Sequence, residues 1–237
     1  MSEHQSSCLL VDIGNTRIKY ARNSDGNHLD VRVAGSLSDI PLNGVREIRV
    51  AAVARAEEAR NWEESVPSGV RFKRAVVKPE WHGLTCAYED CSRLGVDRWL
   101  ALLAGRKEIG GNLMLVSLGS AITVDYLTGE GVHEGGYILP GLTMMRQSLG
   151  QTTAQVGFAE GQNQNICPGK NTEQCVDHGV LCITRDFLQQ RIACLRGKDY
   201  SVWLSGGDAR LISAQITEKH EIAESLVLRG LRHCFDM

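Results

Sequence analysis

An apolar run near the start of the chain, Cys8-Leu9-Leu10-Val11-Asp12-Ile13, carries a carboxylate one residue from its end. Gly14-Asn15-Thr16 follow, then Arg17-Ile18-Lys19. A carboxylate at a strand end can fix a hydrated Mg²⁺, because that ion takes one or two carboxylates and keeps water and phosphate oxygens for the rest of its shell. Gly14 removes a side chain where a phosphate would meet the backbone. Asn15 and Thr16 can donate hydrogen bonds to phosphate oxygens, and Lys19 brings a positive charge back to the same edge. The plain alternative is a tight hairpin whose Asp and Asn serve turn amides.

Four further segments carry chemistry-bearing residues. Gly95-Val96-Asp97-Arg98 puts an acid and a guanidinium at the start of a predicted helix, with Tyr88 upstream. Asp97 can be a helix-capping acid, or a base that orients and deprotonates a hydroxyl while Arg98 grips an anion. Ser117-Leu118-Gly119-Ser120 offers hydroxyls and bare backbone to a second phosphate, or is an ordinary hairpin. Gly135-Gly136-Tyr137-Ile138-Leu139-Pro140-Gly141 suggests backbone pressed against a ligand or a helix. Ser205-Gly206-Gly207-Asp208-Ala209 is a strand-to-helix turn on which a flat base can lie, or a tight turn and nothing more.

Other phosphate and metal signatures fail. Gly169-Lys170 is followed by Asn171, so there is no Walker loop. Glu134 occupies the third glycine position after Gly129 and Gly131. His133-Glu134 runs into Gly135-Gly136-Tyr137, so H-E-x-x-H is absent. Any phosphate would be held by hairpin loops.

The elements that must position these residues follow from pattern. Strands are predicted over 8–13, 17–21, 28–33, 47–54, 70–76, 113–118, 121–127 and 200–204. Helices are predicted over 56–64, 96–107, 142–149, 172–195 with Thr172 as N-cap, a segment around 211–215, and 226–233. Residues 78–93 read as loop and 157–170 as a mobile loop. Strand, polar turn, strand occurs at 8–21 and again at 113–127. This suggests two similar α/β halves facing a cleft, 1–109 and 110–237.

The composition is that of an ordinary globular chain: 237 residues, 43 % hydrophobic, 23 % charged, net charge −2. That balance argues against nucleic acid as a partner, and 5 % aromatics argue against a base-stacking platform. No apolar run approaches the roughly 20 residues of a membrane helix. Residues 1–7 lack a signal-peptide pattern, so the expectation is a cytoplasmic protein without membrane contact. Eight dispersed cysteines without C-x-x-C read as reduced and mostly buried. Cys175 and Cys182 would share a helix face, as would Cys175 and His178. Two lone ligands make a poor metal site, so these read as packing residues.

Together the five segments resemble the type III pantothenate kinase family, also called Bvg accessory factor homologues. Its motif D-x-G-N-T-x-x-K is matched by Asp12, Gly14, Asn15, Thr16 and Lys19. Its G-x-D-R is matched by Gly95, Val96, Asp97 and Arg98, with Tyr88 at the upstream tyrosine. Its G-G-x-I-x-P-G falls at 135–141, its Thr-Ala at Thr153-Ala154, and its S/T-G-G-D-A at 205–209. The resemblance implies an α/β fold of two ribonuclease-H-like halves in the actin-like ATPase superfamily. It implies ATP in the cleft, pantothenate near a homodimer interface, and phosphorylation of pantothenate to 4'-phosphopantothenate, which opens coenzyme A synthesis. Asp97 would be the general base. Tyr88, Gly95, Val96 and Arg98 would contact pantothenate, together with Thr153 of the partner subunit. Asp12 would hold Mg²⁺ with ATP. Gly119 and Ser120 would meet phosphate, and Gly206 and Gly207 the adenosine side.

The family also implies an activating monovalent cation, K⁺ or NH₄⁺, held by the first Asp of D-x-G-T-A. Here that residue is Ser117, and Ser120 replaces the Thr. Ser120 keeps a hydroxyl, whereas Ser117 removes a negative charge from the cation position. The family's proline after Thr-Ala is replaced by other residues, Gln155-Val156-Gly157 following Ala154. Two other readings stay open at this point: a non-catalytic nucleotide-binding regulator, and a kinase of another small anionic alcohol.

Overall fold

The structure is a computed structural model that describes residues 7–23, 29–53, 55–152 and 165–235. They group into two compact units. The first holds the chain up to 110, together with 130–133 and the residues from 225 on; the second holds 111–129 and 134–224.

The first unit is built on β1 (Cys8–Ile13), β2 (Ile18–Arg22), β3 (Arg32–Ala34), β4 (Glu47–Ala52) and, after helix α1 (Ala56–Ser65), β5 (Arg71–Arg74). The order across its sheet is β3-β2-β1-β4-β5. β1 runs antiparallel to β2 and parallel to β4, so a central strand with apolar residues on both faces is buried from both sides. Leu9, Val11, Ile13, Ile48, Val50 and Trp62 form its core. A two-stranded hairpin, β6 (Glu80–Trp81) and β7 (Leu84–Thr85), leads through an irregular stretch to helix α2 (Val96–Glu108). α2 is buried from Arg98 through Gly105.

The second unit repeats the plan. β8 (Asn112–Leu118), β9 (Ala121–Leu127) and β10 (His133–Pro140) are followed by helices α3 (Leu142–Thr152) and α4 (Thr172–Ala193). Then come β11 (Tyr200–Ser205), α5 (Ala209–Ser213) and β12 (Glu221–Ile222), and the closing helix α6 (Leu226–Cys234) rejoins the first unit. The sheet order is β10-β9-β8-β11-β12. β8 is antiparallel to β9 and parallel to β11, as β1 is to β2 and β4. Two sheets with one strand order and the same mixture of directions are two copies of a ribonuclease-H-like layout.

Register makes the repeat residue-specific. In the first hairpin the last two pairs are Asp12 opposite Lys19 and Ile13 opposite Ile18. In the second they are Ser117 opposite Thr123 and Leu118 opposite Ile122. Each turn is closed from its glycine: Gly14 N donates to Arg17 O and Gly119 N to Ala121 O, both at 3.1 Å.

Several expectations need correction. The backbone of 135–141 is pressed against other backbone, that of β9 and of residues 119–120. It forms most of the edge strand β10, where a methyl on Gly136 would collide with the carbonyl of Val124 in β9. Residues 78–93 contain a hairpin and a short 3₁₀ turn over Cys91–Arg93. The N-cap of α4 is Asn171, whose side chain accepts from Gln174 N, so Thr172 is already helical. The cysteines carry no disulfide, but only Cys234 is buried; Cys167, Cys175 and Cys194 are exposed. They sit on loops and on the outer side of α4, where small apolar volume has nothing to fill. His178 is committed to the backbone, its Nδ1 lying 2.5 Å from Cys167 O. Residues 157–164 of the expected mobile loop lie outside the described residues.

Candidate functional site

The first unit gathers its charged residues at the ends of β1 and α2. β1 stays apolar until Asp12, which is half-buried because the strand lies between two neighbours. Burial raises the Asp12 carboxyl to about 6, the Lys19 ammonium opposite pulls it down, and the charge of Asp97 pushes it up again. Asp12, Lys19 and Asp97 therefore share one electrostatic neighbourhood, although Asp97 arrives on a distant helix. Asn15, Thr16 and Arg17 stand exposed on the turn beyond.

Gly95 is the N-cap of α2, Val96 its first residue and Asp97 its second. The carboxylate folds back over the cap: a methyl built on Gly95 would stand 2.5 Å from Asp97 Oδ1. The absent side chain at Gly95 is thus what leaves room for this orientation. Arg98 is buried and donates from Nη1 to Tyr88 Oη at 2.9 Å, with its guanidinium carbon 5.8 Å from the Tyr88 ring centre. An open depression of about 450 Å³ lies beside Tyr88, lined also by Glu89, Asp90 and Arg93. Asp90 caps the 3₁₀ turn, accepting from Ser92 N at 3.1 Å and from the Ser92 hydroxyl at 2.6 Å.

In the second unit two sequence motifs, 135–141 and 205–209, converge on a third, residues 117–120. Gly141 N donates to Ser120 O at 3.1 Å, and Asp208 N to Leu118 O at 3.2 Å. Gly206, at φ 100°, lies against the Leu118 backbone, where any side chain would collide. Gly207 and Ser120 are exposed and Gly119 is half-buried. Thr153 lies outside the described residues. His133, which no sequence motif assigned to the site, stacks on Tyr88.

The donor sets differ between the two hairpins. A single carboxylate at Asp12, next to a bare glycine and an ammonium, fits a hydrated Mg²⁺ that also carries phosphate oxygens. Around Ser117 the neighbours across the strands are Thr123 and Ser205, all neutral hydroxyls. Thr123 Oγ1 is buried and finds no hydrogen-bond partner among the described residues. This trio supplies no negative charge and does not fit a charge-compensated monovalent-cation site.

Residues 8–193 match the sequence profile of a family described as type III pantothenate kinase. A type III pantothenate kinase from Marinobacter nauticus is 37 % identical over 235 residues, covering 94 % of this chain and 96 % of that protein. Among solved structures, a Campylobacter jejuni protein described as a Baf family transcriptional activator superposes with a TM-score of 0.62 at 19 % identity, covering 95 % of this chain and 96 % of the other. A Sinorhizobium meliloti protein described as a 2-dehydro-3-deoxygalactonokinase gives a TM-score of 0.57 at 12 % identity, covering 95 % of each. At those identities the two structures speak for the fold alone, the actin-like fold that two ribonuclease-H-like sheets already indicate. The sequence match, spanning residues 8–193 to the end of α4, places this chain in the type III pantothenate kinase family.

Proposed function

We propose that this chain transfers the γ-phosphoryl group of ATP to the hydroxyl of pantothenate, with Asp97 as the general base. The observation that carries the reading is the placing of Asp97 and Arg98 on the first turn of α2, within the electrostatic reach of Asp12. The alcohol oxygen attacks the γ-phosphorus, the bond to the departing ADP oxygen breaks, and the hydroxyl proton passes to the Asp97 carboxylate. Such a reaction asks for positioning and charge neutralisation more than covalent chemistry. Arg98 and Tyr88 hold the pantothenate anion, with Gly95 and Val96 as backbone contacts. Asp12, Gly14, Asn15, Thr16 and Lys19 take the phosphates from residues 1–109. Gly119 and Ser120, with Gly206 and Gly207 at the adenosine side, do so from 110–237. Asp12 would hold Mg²⁺, which when bound neutralises charge on the transferring phosphate.

A homodimer in the cytoplasm completes the proposal, with Thr153 of the partner subunit reaching pantothenate. It is supported by the large apolar side chains that the second unit leaves exposed: Tyr137 and Ile138 on β10, Met144 and Leu149 on α3, and Ile183 on α4. No helix among the described residues is long and apolar enough to cross a membrane. The test of the activity is ADP formation by the purified protein. It should need both ATP and pantothenate, and a rate indifferent to pantothenate rejects the reading.

Two predictions arise here. Gly95→Ala is expected to lower kcat by up to about 10²-fold, because the added methyl displaces the Asp97 carboxylate by a distance that matters for proton transfer. Unchanged kcat in the folded variant would remove Gly95 from that role. Ser117→Asp restores a carboxylate to the neutral hydroxyl trio, so its turnover should rise with K⁺ more steeply than that of the parent chain. Identical K⁺ titrations of the two proteins would contradict this.

A further inference from the structure

We propose that His133 is a positioning residue for the anion-binding pair Tyr88–Arg98, acting through the Tyr88 ring. The inference rests on the reading of that pair as the pantothenate contact. Tyr88 lies in the stretch between β7 and the 3₁₀ turn, where no strand or helix fixes its side chain. Its amide donates to Cys86 Sγ at 3.4 Å, which fixes the backbone but not the ring. The ring is held by two contacts. Arg98 donates to the phenol oxygen, and the imidazole of His133 lies against the ring at 6.2 Å between centres with 19° between planes. That geometry is an offset stack.

His133 can do this because its own place is fixed. It is 1 % exposed. The residues before it are pinned to β7: Thr85 N donates to Gly131 O at 2.8 Å, and Thr85 forms a parallel bridge with Val132. Gly131, at φ 91°, lies so close to the Gly83 carbonyl that no side chain would fit. The segment 130–133 leaves its neighbours in sequence to join the first unit, and in doing so delivers a flat ring to the side of Tyr88. Without that ring the phenol is free to turn, and the buried Arg98 fork loses one of the groups that aim it. The consequence is weaker capture of the substrate anion, with the ATP side untouched.

Steady-state kinetics of a small variant set test this. His133→Leu fills the buried volume without a flat face and should raise KM for pantothenate roughly two- to tenfold, the range expected for loss of one aromatic pair. Its KM for ATP and its kcat should hold. His133→Phe keeps the flat face and should return KM to the parent value. In a Tyr88→Ala background His133→Leu should add nothing, since the two residues act as one unit. Circular dichroism verifies folding, and His133→Met serves in the same way where the leucine variant does not fold. An unchanged KM in His133→Leu, a failure of His133→Phe to restore it, or additive effects with Tyr88→Ala would each overturn the inference. If Tyr88→Ala and Arg98→Ala themselves leave KM for pantothenate unchanged, the pantothenate assignment of the pair falls, and this inference falls with it.

Discussion

Asp97→Asn is expected to lower kcat for pantothenate phosphorylation by roughly 10²–10⁴-fold, the range for loss of a positioned general base. The amide keeps the shape of the carboxylate and its place over Gly95 but cannot accept the hydroxyl proton. KM for ATP should stay within about a factor of two, because the change is felt in the transition state and not in nucleotide binding. The fold should survive. A first-turn acid contributes roughly 0.3–1 kcal/mol through the helix dipole, and removing the charge of Asp97 also relieves its repulsion with Asp12. Single-turnover measurement of ADP formation separates chemistry from product release. A kcat within tenfold of the parent would show that another group takes the proton, and the assignment of Asp97 would fail.

Much of this site is legible in the sequence, for identifiable physical reasons. The two hairpins show because central buried strands read as unbroken apolar runs, and because Gly14 and Gly119 mark the turns that close them. Asp97 and Arg98 show because a glycine and an acid open an amphipathic helix. β10 does not show. It is an edge strand whose residues from Tyr137 to Ile138 are exposed, and Gly136 is there for close approach to β9, so neither alternation nor propensity marks it. His133 does not show either, since a stacking contact with Tyr88 leaves no trace in spacing. The proximity of Asp97 to Asp12 belongs to the same class: it is made by packing α2 in the first unit, and nothing local to either residue encodes it.

The repeat of one sheet plan in both units gives a physical account of why the two phosphate loops differ. Asp12 and Ser117 hold the same position, one pair before the end of their hairpins, and Lys19 and Thr123 are their partners. The first hairpin keeps an opposite-charge pair at that position, and the second keeps two hydroxyls. The carboxylate–ammonium pair thus falls in one copy, and the matching pair in the other is uncharged. Ser117 has Thr123 and Ser205 as its cross-strand neighbours, and these three hydroxyls bring no negative charge of their own.

The single carboxylate of the first hairpin should couple nucleotide binding to protons. With its carboxyl raised to about 6, Asp12 binds a proton more tightly in the folded chain than in the unfolded one, whose value is 3.8. The sign follows: the ligand-free fold loses stability as pH rises from about 4 through 6, by at most on the order of 3 kcal/mol for a shift of this size. Asp12→Asn should therefore flatten the pH dependence of Tm in the ligand-free protein, and should raise Tm above pH 7. Binding of Mg²⁺ and ATP needs the ionised carboxylate, so at pH 6 it should release about half a proton, and almost none at pH 8. Calorimetry in two buffers of different ionisation enthalpy reads that number directly. Turnover by Asp12→Asn should fall by roughly 10²-fold or more, as for removal of a group aimed at transition-state charge. A proton release that persists in Asp12→Asn would assign the titration elsewhere, and a variant with near-parent turnover would take Asp12 out of the phosphate site.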